Sequence, residues 1–215
     1  MDIYLGTQRL LLRQFTADDL DDVHALDSDP EVMRFITGGP ATPREVLRDE
    51  HLPHWMAFYE RGDDWGFWAA QDRTTGAFLG WFHLRPGTDA RSDEPELGYR
   101  LRRDVWGLGL ATEGSLALID RAFTRSQATR VYATTMAINV ASRRVMEKAG
   151  MHFVRLFRGD WPQAIPGDEH GDVEYAITRE QWRADRSPDT DPGTGPSTVT
   201  AQRAIDIEER PRDHP

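Results

Sequence analysis

The stretch from Glu96 to Gly150 constrains this chain most, and within it the run Trp106-Gly-Leu-Gly-Leu-Ala-Thr-Glu113. A strand, a glycine-rich turn and a helix follow one another there. In Pro95 to Arg102, Leu97, Tyr99 and Leu101 alternate with Glu96, Gly98 and Arg100 at the two-residue period of a pleat. From about Leu110 to Phe123, Leu110, Ala111, Leu116, Ala117, Leu118, Ile119, Ala122 and Phe123 spread around most of a helical circumference. That distribution predicts a helix covered on nearly every side. Glycines at its entry let backbone N–H groups approach an anion, and the helix dipole adds partial positive charge at the same point. The run is therefore read as a phosphate seat. A dinucleotide fingerprint is excluded, because the position that would carry its third glycine is Thr112, and no Gly-Lys-Ser/Thr triplet marks a triphosphate loop.

Glu96-Leu-Gly-Tyr99, Trp106-Gly-Leu-Gly-Leu-Ala-Thr-Glu113, and Asn139-Val-Ala-Ser142 followed by Lys148-Ala-Gly150 resemble the GCN5-related N-acetyltransferase (GNAT) superfamily, most of all its ribosomal-protein N-terminal acetyltransferase branch. The likeness runs from about Thr7 to Trp182. One position departs from it. The superfamily's pyrophosphate motif usually opens with Gln or Arg where this chain has Asp104, a position that serves mostly through its backbone. The resemblance implies a GNAT-like α/β (α+β) fold. Its mixed central sheet is largely antiparallel, with a parallel, splayed pair at the acetyl-CoA site and helices on both faces. It also implies acetyl-CoA as cosubstrate, seated by Trp106, Gly107, Leu108, Gly109, Leu110, Ala111 and Thr112.

Charge narrows the partners. The formal charge is −10 and the pI near 5.1, so nucleic acid and anionic membranes are poor general partners, and a polyanionic coenzyme needs local cations. Arg100, Arg102, Arg103, Arg143, Arg144 and Lys148 are candidates, each of which could equally be a solvated surface residue. The chain has no cysteine, which excludes disulfides, thiolate metal sites and an acyl-cysteine step and suits a reducing compartment. With no basic leader and no run of about 18 apolar residues, a cytoplasmic protein is expected.

Along the chain, Arg9 to Phe15 reads as a first strand, with a helix from Thr16 whose inward face is Leu20, Val23, His24 and Leu26. His24 is read as a packed histidine. Asp29 to Ile36 reads as a short helix capped by Asp29, and Thr42-Pro-Arg-Glu45 as a capping box opening a helix that Pro53 kinks. A hairpin, Trp65 to Gln71 and Ala77 to Leu84, precedes the central strand. After the central helix come a buried strand from Arg130 to Met136, a helix from Val140 to Ala149, and strands at His152 to Arg158 and Asp172 to Ile177. Residues 1–184 form the expected acetyltransferase domain. Residues 185–215, rich in Pro and Asp, form the expected flexible tail.

The candidate chemistry is acetyl transfer to a primary amine by direct attack in a ternary complex. The acceptor would be a protein N-terminal α-amine or a small-molecule amine. Glu96 is the candidate base, unless it merely faces solvent at a strand end. Backbone groups of Leu101, Arg102 and Arg103 are the implied donors to the thioester carbonyl and the coenzyme arm. Asn139 and Ser142 read as an N-cap and a first-turn residue. By resemblance, Asn139 instead binds the coenzyme arm and Ser142 approaches its sulfur. Tyr175 is the alternative acid, or else a packed strand aromatic. Trp161 and the acidic loop Asp160 to Asp172 are candidates for the acceptor side, and no metal is expected. A homodimer is compatible with the sequence. The competing readings are a GNAT-fold module that binds acyl-CoA or a partner without turnover and, further off, a nucleotide-dependent enzyme.

Overall fold

The structure, a computed structural model, describes residues 2–61, 64–87, 93–159 and 164–186. Its frame is one sheet of eight strands: β1 (Ile3–Gly6), β2 (Leu10–Arg13), β3 (Gly66–Asp72), β4 (Phe78–Pro86), β5 (Pro95–Leu101), β6 (Arg130–Met136), β7 (His152–Phe157) and β8 (Asp172–Thr178). Their spatial order is β1-β2-β3-β4-β5-β6-β8-β7. Every neighbouring pair is antiparallel except β5 and β6. Chain length between strands explains this. A tight turn suffices for the β3–β4 hairpin, where the Asp72 carboxylate accepts from the Thr74 and Thr75 N–H groups, whereas a parallel pair needs a crossover. The crossover is helix α5 (Leu110–Arg125).

The helices lie on both faces. On one side are α1 (Leu20–Asp27), α2 (Pro30–Met33), α3 (Arg44–Val46) and α4 (Leu52–Ala57), with a π turn at Leu47–His51 between the last two. Here Trp55 of α4 meets Phe67 and Trp81 of the sheet at ring separations of 5.2 and 5.4 Å. On the other side are α5 and α6 (Val140–Lys148), and α7 (Arg179–Ala184) docks its Trp182 on Phe123 of α5. The pleat sorts β4 and β5 accordingly. Phe82, Leu84, Leu97 and Leu101 are buried toward α5, and Trp81, His83, Arg85, Glu96, Gly98 and Arg100 share the opposite face.

Several expectations change. Helix α5 is not covered all round: Leu110, Gly114, Ser115, Leu118, Ile119, Ala122 and Phe123 form its buried stripe, and Leu116 is exposed. Gly114 accounts for the close approach, since a Cβ there would overlap the Phe82 ring. Thr42 does not cap α3. Its hydroxyl donates instead to the buried Asp27 carboxylate at 2.6 Å, and Pro43 stands at the N-cap. Strand β1 and helix α7 add to the elements expected from the sequence. The helix at Asp29 is only one turn, with the Asp29 side chain accepting from the Glu31 N–H. The chain divides after Asp185, and beyond Arg186 the expected tail lies outside the described residues. Among the described residues no helix is long and apolar enough to cross a membrane.

One buried ion pair anchors α1 to β2. Both Arg13 Nη groups donate to the Asp19 carboxylate, at 2.5 and 2.8 Å, and both side chains are almost wholly buried. Burial alone would push the Asp19 carboxyl up, but the Arg13 guanidinium and the Thr16 N–H outweigh it and hold the group below its usual value. A carboxyl with a depressed folded pKa contributes stability that is present above about pH 4 and lost as pH falls through the folded value. Asp19→Asn is therefore expected to cost about 3–5 kcal/mol at pH 7, because it leaves Arg13 buried without its counter-charge. Urea unfolding of both proteins at pH 7 and pH 3 checks this, and the gap should narrow at the lower pH.

Candidate active site

Strands β5 and β6 meet at one register pair, Glu96 opposite Tyr132, among the described residues. Beyond it toward their C-terminal ends no further pairing follows, so the two strands diverge and leave a gap through the sheet. Arg102 fixes which amide groups face that gap. Its N–H donates to the Leu79 carbonyl at 2.9 Å, on the β4 side. Successive strand amides alternate edges, so the Leu101 N–H faces the opening and Arg102's does not. The Leu101 carbonyl, on the same edge, accepts from the Trp106 indole N–H at 2.8 Å.

The turn after β5 carries the anion seat. Gly107 and Gly109 have φ of +75° and +80°, a left-handed conformation that disfavours any residue with a Cβ. Gly109 is the N-cap of α5 and offers no capping side chain, so the N–H groups of the first helical turn, at Leu110, Ala111 and Thr112, keep their donor capacity. Trp106 and Leu108 flank the turn at 48% and 57% exposure, an apolar rim in water. This donor set fits the pyrophosphate and arm of a coenzyme: open N–H groups, a helix dipole and apolar walls.

A network from the β1–β2 connection pins the turn. Arg9 donates from Nη1 to the Leu108 carbonyl at 2.8 Å and from Nε to Glu113 at 2.6 Å, and the Thr7 hydroxyl and Arg9 N–H both donate to the same Glu113. Burial raises the Glu113 pKa, and these hydrogen bonds more than reverse it, leaving the carboxylate ionised at neutral pH. Arg102 folds back on Asp104 and on the Phe78 carbonyl, and Arg103 pairs with Asp29 at 3.2 Å. The Asp104 position thus works through Arg102.

On the α6 side of the gap, the Ser142 hydroxyl lies 2.9 Å from the Tyr99 hydroxyl, which also reaches the Ser142 carbonyl at 3.2 Å. Burial pushes the Tyr99 phenol up to about 12, so it stays a protonated donor at neutral pH. Asn139 caps α6: its Oδ1 accepts from the Ser142 N–H at 3.2 Å and its Nδ2 donates to Thr135 at 3.1 Å. Tyr175 is buried in β8, donating to Glu147 at 3.0 Å and accepting from Arg143 at 3.2 Å, the surroundings of a packed strand aromatic. Glu96 points to the other face, where it accepts from the Thr134 hydroxyl at 3.2 Å and pairs with Arg85 at 3.3 Å. The structure therefore brings Ser142 to Tyr99 and sets Glu96 across the sheet from both.

In the sequence Tyr99 reads only as one of the alternating residues of a strand, and Arg9 only as the start of a strand. Tyr99 was legible as an inward strand aromatic two residues from Leu101. Arg9 had no local signal, because its partners lie about 100 positions away. Trp161 and Asp160 lie outside the described residues. Of the acidic loop, Glu169 turns back on the Gly167 N–H. Among the described residues no cluster of three His, Asp or Glu side chains is placed to share a metal.

Comparison with known proteins gives concordant results. Residues 9–152 match the family described as the Acetyltransferase (GNAT) domain. The FsC-acetyl coenzyme A-N(2)-transacetylase of Aspergillus fumigatus is 33% identical over 192 residues, covering 86% of this chain and 80% of that protein. A GNAT-family acetyltransferase of known structure from Bacillus anthracis is 25% identical, with a TM-score of 0.68 over 84% of this chain and 99% of its own. RimL, a ribosomal-protein alpha-N-acetyltransferase solved with coenzyme A, shares the fold at 18% identity, with a TM-score of 0.68 over 82% of this chain and 98% of its own.

The seat has a direct test. Gly109→Glu puts a carboxylate and a Cβ where the turn needs a left-handed residue facing an anion. Coenzyme A binding by calorimetry is expected to vanish while the far-ultraviolet circular dichroism stays native. Retained affinity would remove the seat from this turn.

Proposed function

This chain belongs to the acetyltransferase (GNAT) family and is an acetyl-CoA-dependent acetyltransferase, and from that premise we propose that it acetylates a primary amine by direct attack in a ternary complex. One observation carries the reading: an open helix N-terminus with two left-handed glycines stands beside the single parallel strand pair, where β5 and β6 part. The acetyltransferase unit is residues 1–184, with 185–215 as its tail. The acceptor is a protein N-terminal α-amine or a small-molecule amine. The relative named as an N(2)-transacetylase and the structural neighbour named as an alpha-N-acetyltransferase both support an acceptor of this kind.

Acetyl-CoA supplies an acyl thioester when bound. Gly107, Leu108, Gly109, Leu110, Ala111 and Thr112 hold its pyrophosphate with backbone N–H groups, and Trp106, Arg103 and Asn139 line its arm. The Leu101 N–H polarises the carbonyl, an effect commonly worth about 3 kcal/mol of barrier for a fixed donor. Glu96 takes the proton that the amine loses. An α-amine, with a reference pKa near 7.7–8.0, needs far less help from a base than a lysine near 10.4. The Tyr99–Ser142 hydroxyl pair delivers a proton to the leaving sulfur. A thiol of pKa about 8.5 needs only a weak donor, which a phenol held near 12 can polarise through the serine. Tyr175 is left as a packing residue between Glu147 and Arg143.

Two variants separate these roles. Glu96→Gln should lower kcat/KM by about 10²-fold or more, and Ser142→Ala by roughly tenfold, with coenzyme A affinity unchanged in both. Thiol release followed with a thiol-reactive dye reads both, and a protein with no cysteine adds no background. Full activity in Glu96→Gln would leave the base unassigned.

A further inference from the structure

On the face of the sheet that bears Glu96, three successive cross-strand rungs join β4 to β5: Trp81 with Arg100, His83 with Gly98, and Arg85 with Glu96. The middle rung is unusual in chemistry. A Cβ at position 98 would come within 2.5 Å of the His83 ring, so Gly98 is what lets the imidazole lie flat on the β5 backbone next to Glu96. Trp81 stacks on His83 at 5.8 Å and Phe67 meets it edge-on at 5.1 Å.

Five polar atoms of this ladder are left without partners among the described residues. Both ring nitrogens of His83, the indole N–H of Trp81 and the Nε–H groups of Arg85 and Arg100 are buried and meet no hydrogen-bond partner among the described residues. Leaving one such group unsatisfied ordinarily costs about 1–3 kcal/mol, so five on adjacent rungs mark a place where something else completes them. As whole residues His83, Arg85, Glu96 and Arg100 are half-buried, whereas Trp81 is buried and the orphaned atoms themselves are covered, so a ligand reaches them by displacing the side chains packed over them.

Among the described residues, the carboxylates next to this ladder are matched. Glu96 is matched by Arg85, Asp27 by Arg100, and Glu174 by Arg130 and Arg155. Burial and the flanking Arg85 and Arg100 drive the His83 pKa well below its ordinary value, so the imidazole is neutral, one nitrogen donating and the other accepting. The surplus is therefore in N–H donors, with a single acceptor on the imidazole. An amine beside a carbonyl or carboxylate oxygen would satisfy both kinds of group at once.

We propose that the His83–Gly98 rung, with Trp81 above it, is the acceptor subsite, and that it selects amines carrying a carbonyl or carboxylate oxygen on the adjacent carbon. This rests on the acetyltransferase reading of the Glu96 gap. His83 accepts a hydrogen bond from the neutral amine beside the Glu96 carboxylate, and the Trp81 indole N–H donates to the neighbouring oxygen.

The test measures acetyl-CoA-dependent thiol release from the full chain with alaninamide, with isopropylamine, which lacks the carbonyl, and with spermidine. With kcat/KM expressed per neutral amine, so that the lower pKa of an α-amine creates no preference by itself, wild-type protein should favour alaninamide over both others by about tenfold or more, the scale of one hydrogen bond to a buried group. His83→Phe should raise the KM for alaninamide by a similar factor and erase the preference, with the coenzyme A Kd from calorimetry unchanged. His83→Asn should restore part of it. Trp81→Phe, which keeps the ring and removes only the N–H, gives the same reading with little risk to folding: a raised KM for alaninamide and none for isopropylamine. Equal turnover of the three amines by wild-type protein, or an unchanged KM in both His83→Phe and Trp81→Phe, overturns the subsite while the acetyltransferase stands. Absence of coenzyme A binding by wild-type protein overturns both.

Discussion

Everything at this site depends on two parallel strands that, among the described residues, pair in register at one position. Glu96 opposite Tyr132 is the hinge of a V, and from there β5 runs on with β4 while β6 runs on with β8. A parallel ladder that continued would satisfy the Leu101 amide and close the sheet. Because it does not, one strand edge in the middle of a buried sheet keeps backbone donors that no neighbour takes, which is costly unless a ligand uses them. The antiparallel partners on either side hold the V open, so the gap is a property of the sheet and not of a mobile loop.

The anion seat depends on a different constraint, rigidity at a glycine turn. Two left-handed glycines give the backbone its approach but also make the turn intrinsically loose. Arg9 and Thr7, reaching over from the β1–β2 connection to Glu113 and the Leu108 carbonyl, supply the missing stiffness. Glu113 is the fourth residue of α5, so the same contacts fix the start of the helix and the turn before it as one body. On the opposite face the buried Asp27 does comparable work, holding Arg100 of β5 and Thr42 of the α2–α3 connection together.

Periodicity made most of this fold legible. The alternation in Pro95 to Arg102, the glycines before α5, the Asp29 and Gly150 boundaries and the hairpin all express local backbone preferences, and local preferences can be read in a line of residues. What failed to show was decided by partners distant in sequence. The Thr42 motif has the form of a capping box, yet a buried carboxylate 15 residues away competes for its hydroxyl and wins. Helix α5 reads as wrapped because Leu116 and Ala117 are apolar, but the sheet covers only the stripe that includes Gly114, a residue no apolar count would choose. For the site, the glycine turn and the Asn139 to Ser142 run were visible. The Tyr99–Ser142 pairing, the Arg9 clamp and the His83 rung required knowing which strands lie side by side.

The pleat also distributes the chemistry. Glu96 and His83 lie on one face, and Ser142 and Tyr99 on the other, because residues 96 and 98 alternate with 97 and 99 along the same strand. The net reaction moves one proton from the amine to the departing sulfur, and with the two groups on opposite faces each of them serves only one reactant. Placing them on opposite sides of a sheet, with the Leu101 amide in the opening between, separates entry from exit. In this reading the acceptor arrives from the α1–α4 side, and the leaving thiol stays on the α5–α6 side with the seat that holds the rest of its molecule. One strand, through nothing more than its two-residue period, then sets both the direction of attack and the direction of departure.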